Sequence, residues 1–246
     1  MKCSPYLVPN LRIALYYVTG ATILILAIFS LGVWGLPLAW PALAMLLVAA
    51  GYTTLGPAIY GKRGGRLSPL SRLLLAPTQF CQYLSLLYYR RQCRPWDEVA
   101  PGVFIGSMLT RKEATRLTEA GLKAVLDLTA EFSETPDLQV LRYHNIPILD
   151  LTALTPAHLT EAVQFIQACR QRGDGVFVHC KAGYSRSANV VGAYLMAAGI
   201  CRTTGEAIAR LRQVRPSIVI RPEVRNSLRQ FEQMLQASCW SKEGER

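Results

Sequence analysis

A chain of 246 residues carrying 27 basic and 16 acidic side chains has a formal charge of +11 and room for one ordinary domain plus a further segment. That charge is not laid out as a nucleic-acid surface. Lys2, Arg12, Lys62, Arg63, Arg66, Arg72, Arg90, Arg91 and Arg94 precede Pro95 with no acidic residue among them, whereas residues 95–246 hold 18 basic against 16 acidic side chains. Seven cysteines (Cys3, Cys81, Cys93, Cys169, Cys180, Cys201, Cys239) are odd in number and lack any Cys-Xaa2-Cys spacing, which excludes a zinc-finger-type site and a disulfide framework.

From Ile13 to Gly61 no side chain is charged, and the run divides at Gly35-Leu36-Pro37 into Ile13–Trp34 and Leu36–Ile59. Each part would span roughly 30 Å as a helix, the depth of a bilayer core, and each is apolar all round. Residues 1–61 are therefore expected to form a two-helix transmembrane hairpin. Gly20, Gly32 and Gly51 would give close approach between the helices, with Pro41 and Pro57 as kink points in the second. Basic residues flank both outer ends and are missing from the connection, which places both termini and the following domain in the cytoplasm, at the inner membrane if the chain is bacterial. The same flanks suit anionic lipid and not nucleic acid. Residues 62–94 read as a basic juxtamembrane segment. Its apolar residues Leu70, Leu73, Phe80, Leu84, Leu87 and Tyr88, interrupted at Pro77, fit either an interfacial helix in the head groups or a helix packed on the next domain.

Residues 95–246 alternate strands with helices. Strands are expected at Val103–Gly106, Ala124–Leu128, Leu141–Leu149 and Gly175–Val178, and helices at Arg111–Ala120, Pro156–Arg170, Ala188–Ala198, Glu206–Val214 and Glu223–Leu235. The fold class is α/β, a central sheet flanked by helices. Cys169 and Cys201 fall in helices, as packing residues or as disulfide partners for an oxidised Cys180.

The chemistry concentrates in His179-Cys180-Lys181-Ala182-Gly183-Tyr184-Ser185-Arg186-Ser187. A strand, a tight loop and a helix N-terminus aim several backbone N–H groups at one point, which makes an anion site. The same field favours a thiolate at Cys180, since nearby cations and helix N-termini lower a thiol from about 8.5 to roughly 3.5–7.5. Arg186 brings a planar fork suited to two phosphate oxygens, and Gly183 permits close backbone approach. A nucleophilic cysteine must stay reduced, in keeping with a cytosol-facing domain.

This stretch resembles the Cys-Xaa5-Arg phosphate loop of the cysteine-dependent protein tyrosine phosphatase superfamily, and its His-Cys-Xaa2-Gly-Xaa2-Arg-Ser form resembles the dual-specificity branch. The likeness extends over about residues 97–235, including Arg215-Pro216-Ser217-Ile218, and leaves the hairpin outside. It implies a dual-specificity-phosphatase-like fold in which Lys181, Ala182, Gly183, Tyr184, Ser185 and Arg186 bind phosphate. By the same resemblance Ser187 stabilises the departing sulfur and His179 orients the loop and supports the thiolate, a purely structural histidine being the alternative. Asp150, thirty residues before Cys180 and after a strand, matches the family's general acid; Asp127 is the second candidate, with Asp137 and Asp174 behind it. The residues require neither a metal nor another cofactor, because Arg186 and the loop dipoles neutralise the charge.

Val178-His179-Cys180-Lys181-Ala182-Gly183, with Ile148-Leu149-Asp150 and Thr155-Pro156, is most similar to the mitochondrial-type phosphatidylglycerophosphate phosphatase group. The segment Thr129-Ala130-Glu131-Phe132-Ser133-Glu134 resembles that group's acidic segment imperfectly, and Tyr184 stands where lipid-directed relatives often carry a basic residue. The expected activity is hydrolysis of a phosphate monoester at a membrane, on a lipid such as phosphatidylglycerophosphate or a phosphoinositide. A phosphoprotein phosphatase held at the membrane, and a non-catalytic phosphate-binding module, are the alternatives.

Overall fold

The computed structural model describes residues 9–243, with side chains to residue 237. Lys2, Cys3 and the side chain of Cys239 lie outside the described residues. Helix α1 (Leu11–Leu31) starts on Asn10, whose side chain accepts a hydrogen bond from Ile13 N–H. A 3-10 turn (Gly32–Leu38), helix α2 (Ala39–Ala50), a π turn (Gly51–Leu55) and a second 3-10 turn (Gly56–Tyr60) follow without a break. The expected loop between two long helices is therefore replaced by one joined helical stretch, in which α2 keeps regular form for only 12 residues. Gly32 and Gly56, at φ +58° and +61°, turn the backbone without a loop. Pro41 falls in the first turn of α2, where proline is tolerated.

The two parts of the stretch pack on one another. Asn10 N–H donates to Tyr52 O at 2.9 Å, and the rings of Tyr17 and Tyr52 stack at 5.9 Å. Leu11–Tyr60 is long and apolar enough to cross a membrane. Its large side chains face outward, Phe29 and Trp34 being 81% and 88% exposed.

Helices α3 (Pro69–Leu74), capped by Ser68, and α4 (Ala76–Arg90) come next, parted at Leu75. Pro77 lies in the first turn of α4, which locates the break. The basic residues of this region are largely engaged by the following domain and do not form an open basic strip. Lys62 pairs with Asp127, Arg66 bonds Gln139, Arg90 pairs with Glu113 and Arg94 with Asp97. Arg63, Arg72 and Arg91 remain exposed.

The sheet contains β1 (Trp96–Ala100), β2 (Val103–Ser107), β3 (Leu122–Thr129), β4 (Arg142–Ile148) and β5 (Gly175–Cys180) in the order β1-β2-β5-β3-β4. Only β1 is antiparallel to its neighbour. Strand β1 has no counterpart among the expected elements, because Asp97 and Glu98 mask its pattern. Asp97 is tolerated in the core through Arg215, whose Nη1 lies 2.6 Å from it.

Helices α7 (Pro156–Gln171), α8 (Arg186–Ala197), α9 (Thr204–Val214) and α10 (Pro222–Glu243) cover one face of the sheet, packing on Leu126, Val176 and Val178. Helix α5 (Arg111–Glu119) and the short α6 (Pro136–Gln139) cover the other, over Val125 and Phe177. Alternate residues of each strand thus serve opposite cores. The central strand β5 is buried throughout, and its carboxyl end opens at the crevice where parallel sheets bind ligands.

Candidate active site

Strand β5 ends on Cys180, 3% exposed, and α8 begins at Arg186, so residues 181–185 form a tight connection facing the helix N-terminus. The carbonyls of this loop are tied outward. Lys181 O accepts from Met108 N–H, Ala182 O from Cys93 Sγ, Gly183 O from Arg215 Nε and Tyr184 O from Val219 N–H. In a trans peptide the next N–H points opposite its carbonyl, so four consecutive amides are turned toward the inside of the loop. Gly183, at φ +74°, is required there, since a Cβ would fall 2.5 Å from the Gly106 backbone.

Burial alone would raise the Cys180 thiol. The Arg186 guanidinium outweighs it, with the Ser187 hydroxyl (3.5 Å from Sγ) and Ser187 N–H, and holds the thiol below its ordinary value. Arg186 is itself 2% exposed and gripped on several sides. It donates to both carboxylate oxygens of Glu131 at 3.0 and 2.7 Å, to Ile148 O at 2.7 Å and to Leu128 O at 3.3 Å. A bidentate carboxylate on one edge fixes the plane of the fork.

Asp150 lies past the end of β4 and meets two cations, Lys181 Nζ at 2.5 Å and Arg186 Nη2 at 3.2 Å. Burial would raise its carboxyl, but Arg186 and Lys181 bring it down to about 2. Lys181 is accordingly a buried partner of Asp150. The competing carboxylates lie elsewhere: Asp137 pairs with Arg111, Asp174 with Arg142 and Asp127 with Lys62. The Tyr184 side chain points away from the loop centre, donating to Tyr89 O at 3.0 Å and thereby joining the loop to α4. Cys169 and Cys201 are buried in the core as packing residues, and the cysteine that reaches the loop is Cys93.

Behind Cys180, His179 is fully buried, stacked on Phe177, with Nε2 2.6 Å from Glu134 and 3.8 Å from Asp127. Burial opposes its charge, yet Glu134 and then Asp127 push the imidazolium up to about 9. Asp127 also receives Lys62 Nζ at 2.5 Å and the Tyr143 hydroxyl at 2.6 Å. Asp127, Glu134 and His179 present three ligand-type atoms within 4.8 Å of one another, but here Lys62 and the imidazolium supply the positive charge. A group whose folded value is raised stabilises the fold below its unfolded value, near 6.5, and loses that contribution as pH climbs through about 9. The thermal midpoint is therefore expected to fall across that interval. Glu134→Gln should flatten the fall, measured by calorimetric scans at stepped pH.

Residues 103–234, more than half of the chain, match the family model described as the catalytic domain of dual specificity phosphatases. The chain belongs to the dual-specificity phosphatase family. Its catalytic domain is thus of the phosphoric monoester hydrolase type. Human dual specificity protein phosphatase 22 is 34% identical over 101 residues, 41% of this chain and 54% of that protein. The Arabidopsis thaliana phosphatidylglycerophosphate phosphatase PTPMT2 is 29% identical over 164 residues, 62% of this chain and 72% of that protein. A crystal structure of PTPMT1 in complex with PI(5)P superposes with TM-score 0.55 at 26% identity, covering 59% of this chain and 99% of that one. The chain spans about half the length of several curated relatives it matches.

Within this dual-specificity phosphatase, three contributors to the site escaped the sequence reading as functional residues: Glu131, Glu134 and Lys62. The first two belong to the acidic segment after β3, and the signal available was a pair of carboxylates three residues apart directly after an apolar strand. Lys62 carried no signal, because its partner Asp127 is 65 residues away.

Proposed function

We propose that this dual-specificity phosphatase is membrane-anchored and hydrolyses a lipid phosphate monoester through a cysteinyl-phosphate intermediate. The Cys180 thiolate attacks phosphorus in line while Arg186 and the inward amides hold the equatorial oxygens. The bond to the lipid oxygen breaks, and Asp150 gives that oxygen its proton. Water then attacks the thiophosphate, delivers a proton to Asp150 and releases inorganic phosphate, and Ser187 donates to the departing sulfur. In the ligand-free site Asp150 is ionised against Arg186 and Lys181. A phosphate dianion on the loop competes for both cations and so returns Asp150 to the protonated form that an acid needs.

The observation that carries the lipid assignment is the junction between the apolar stretch and the acid loop. Tyr52 Oη donates to Asp150 O at 2.8 Å and Asn10 Nδ2 to Leu151 O at 3.2 Å, and Leu151 holds φ +61° between them. Both ends of the apolar stretch thus bind the backbone of the loop that bears the acid. In this reading α1, about 31 Å long at 1.5 Å per residue, crosses the bilayer beside α2. The catalytic domain from about Pro95 then sits at the cytoplasmic face with its site against the lipid. The second reading, a phosphoprotein phosphatase held at the membrane, is favoured by the likeness to dual specificity protein phosphatase 22.

Lipid phosphates in mixed micelles, compared with phosphotyrosine and phosphothreonine peptides, separate the two; preference for the peptides overturns the lipid assignment. Asp150→Ala should cost on the order of 10²–10⁴-fold with an alkyl phosphate and much less with an activated aryl phosphate, whose leaving oxygen needs no proton. Equal losses on both would move the acid elsewhere.

A further inference from the structure

One cavity of about 1180 Å³ joins the Cys180 loop to the apolar helices. Its floor is polar, with Cys180, Arg186, Lys181 and Asp150. Its upper walls include Ile13 and Leu24 of α1 and Pro41 and Met45 of α2, together with one face of α4. We infer that this cavity is an acyl-chain site, taking the hydrocarbon chains of a lipid phosphate whose phosphate rests on residues 180–186. The inference rests on the lipid-phosphatase reading and deepens it.

Three observations support it. The first is polarity: charged groups crowd one end and uncharged, largely apolar side chains line the rest, as an amphiphile requires. The second is depth. From Ile13 to Leu24 the wall rises along α1 by roughly 16 Å, at 1.5 Å per residue, which is about half of a ~30 Å hydrocarbon core and so one leaflet.

The third is the build of α4. Cys81, Gln82, Ser85 and Tyr89 line the cavity, while Phe80, Leu84, Leu87 and Tyr88 are exposed on the helix's other sides. Helix α4 thus separates the cavity from an apolar exterior. Helices α1 and α4 both pack on α2 without comparable packing on each other, which leaves the side between them for lateral entry from a leaflet.

The test uses the full chain in mixed micelles with dihexanoyl and dioleoyl phosphatidic acid, reading the ratio of kcat/KM for the long chain to that for the short. Leu24→Trp and Ser85→Phe, which fill the cavity, should each lower this ratio about tenfold, equal to about 1.4 kcal/mol. Leu84→Ser on an outward side of α4 should leave it unchanged. Should the fillers fail to fold, a diazirine-bearing acyl phosphatidic acid in vesicles should label the wild-type chain at Leu24 or Ser85, and excess dioleoyl phosphatidic acid should abolish that labelling. Lipid turnover with an unaltered ratio in the fillers, or labelling confined to outward residues such as Phe29 and Leu84, overturns the acyl site and leaves the lipid reading standing. Turnover of phosphopeptides with none of either phosphatidic acid overturns both.

Discussion

Serine in place of Cys180 is expected to lower turnover by on the order of 10⁴-fold or more while the site continues to bind phosphate. Nucleophile and anion cradle are separable here. The cradle consists of Arg186, fixed by Glu131, and amides whose carbonyls are bound to Met108, Cys93, Arg215 and Val219. None of these depends on the sulfur. What the substitution removes is a thiol that Arg186 and Ser187 hold below its ordinary value, and a hydroxyl in that position stays protonated. Turnover of an aryl phosphate and calorimetric titration with inorganic phosphate read the two properties independently. Alkylation of the wild-type thiol should reach half its maximal rate below pH ~8.5, the value of a free cysteine. Substantial turnover in Cys180→Ser would exclude the cysteinyl-phosphate route.

The second large effect is expected at Lys62. Its ammonium is buried against Asp127 and also donates to Thr129 O and Thr129 Oγ1, both at 2.9 Å. Asp127 keeps a depressed carboxyl value despite complete burial, because Lys62 and then His179 oppose the desolvation. Removing one partner of a buried pair strands the other charge, at about 3–5 kcal/mol, which is a large share of the 5–15 kcal/mol that holds a typical domain together. Lys62→Met should accordingly cut the urea midpoint sharply, and Lys62→Met with Asp127→Asn should recover part of the loss, as coupled residues do. A fragment beginning at Pro95 lacks the same ammonium and should be equally weak, whereas one beginning at Gly61 should fold. Equal stability of the two fragments would refute a structural role for Lys62.

The contrast between Cys180 and Lys62 shows what a sequence can display. Cys180, Gly183, Arg186 and Ser187 are close in the chain because a strand, a tight loop and a helix must be covalently consecutive to make an anion cradle. Spacing therefore reports them directly. Asp150 was singled out only through the family resemblance, by its separation from Cys180 and its place after a strand. Helices α5, α7 and α9 follow periodicity and capping residues that lie within a turn of each other. Residues recruited across the fold leave no such trace. Glu131 meets Arg186 at a separation of 55 residues, Arg215 meets Asp97 at 118, and Tyr52 meets Asp150 at 98. Strand β1 was hidden for the same reason, since its buried aspartate becomes intelligible only beside Arg215. In the basic region before Pro95, net charge was plain from the sequence, but the pairing that consumes it belongs to tertiary structure.

The anchoring of the loop carbonyls also has a thermodynamic side. Four peptide planes held from three separate segments (the residues before β1, those after β2 and the α9–α10 connection) have few alternative orientations, so their conformational entropy is largely spent when the chain folds. Phosphate then enters a cradle that needs little further ordering, and the unfavourable entropy of immobilising backbone should be nearly missing from its binding. The fold bears that cost once, in the protection of the Met108 and Val219 amides, which should exchange with solvent only through openings that dismantle the loop.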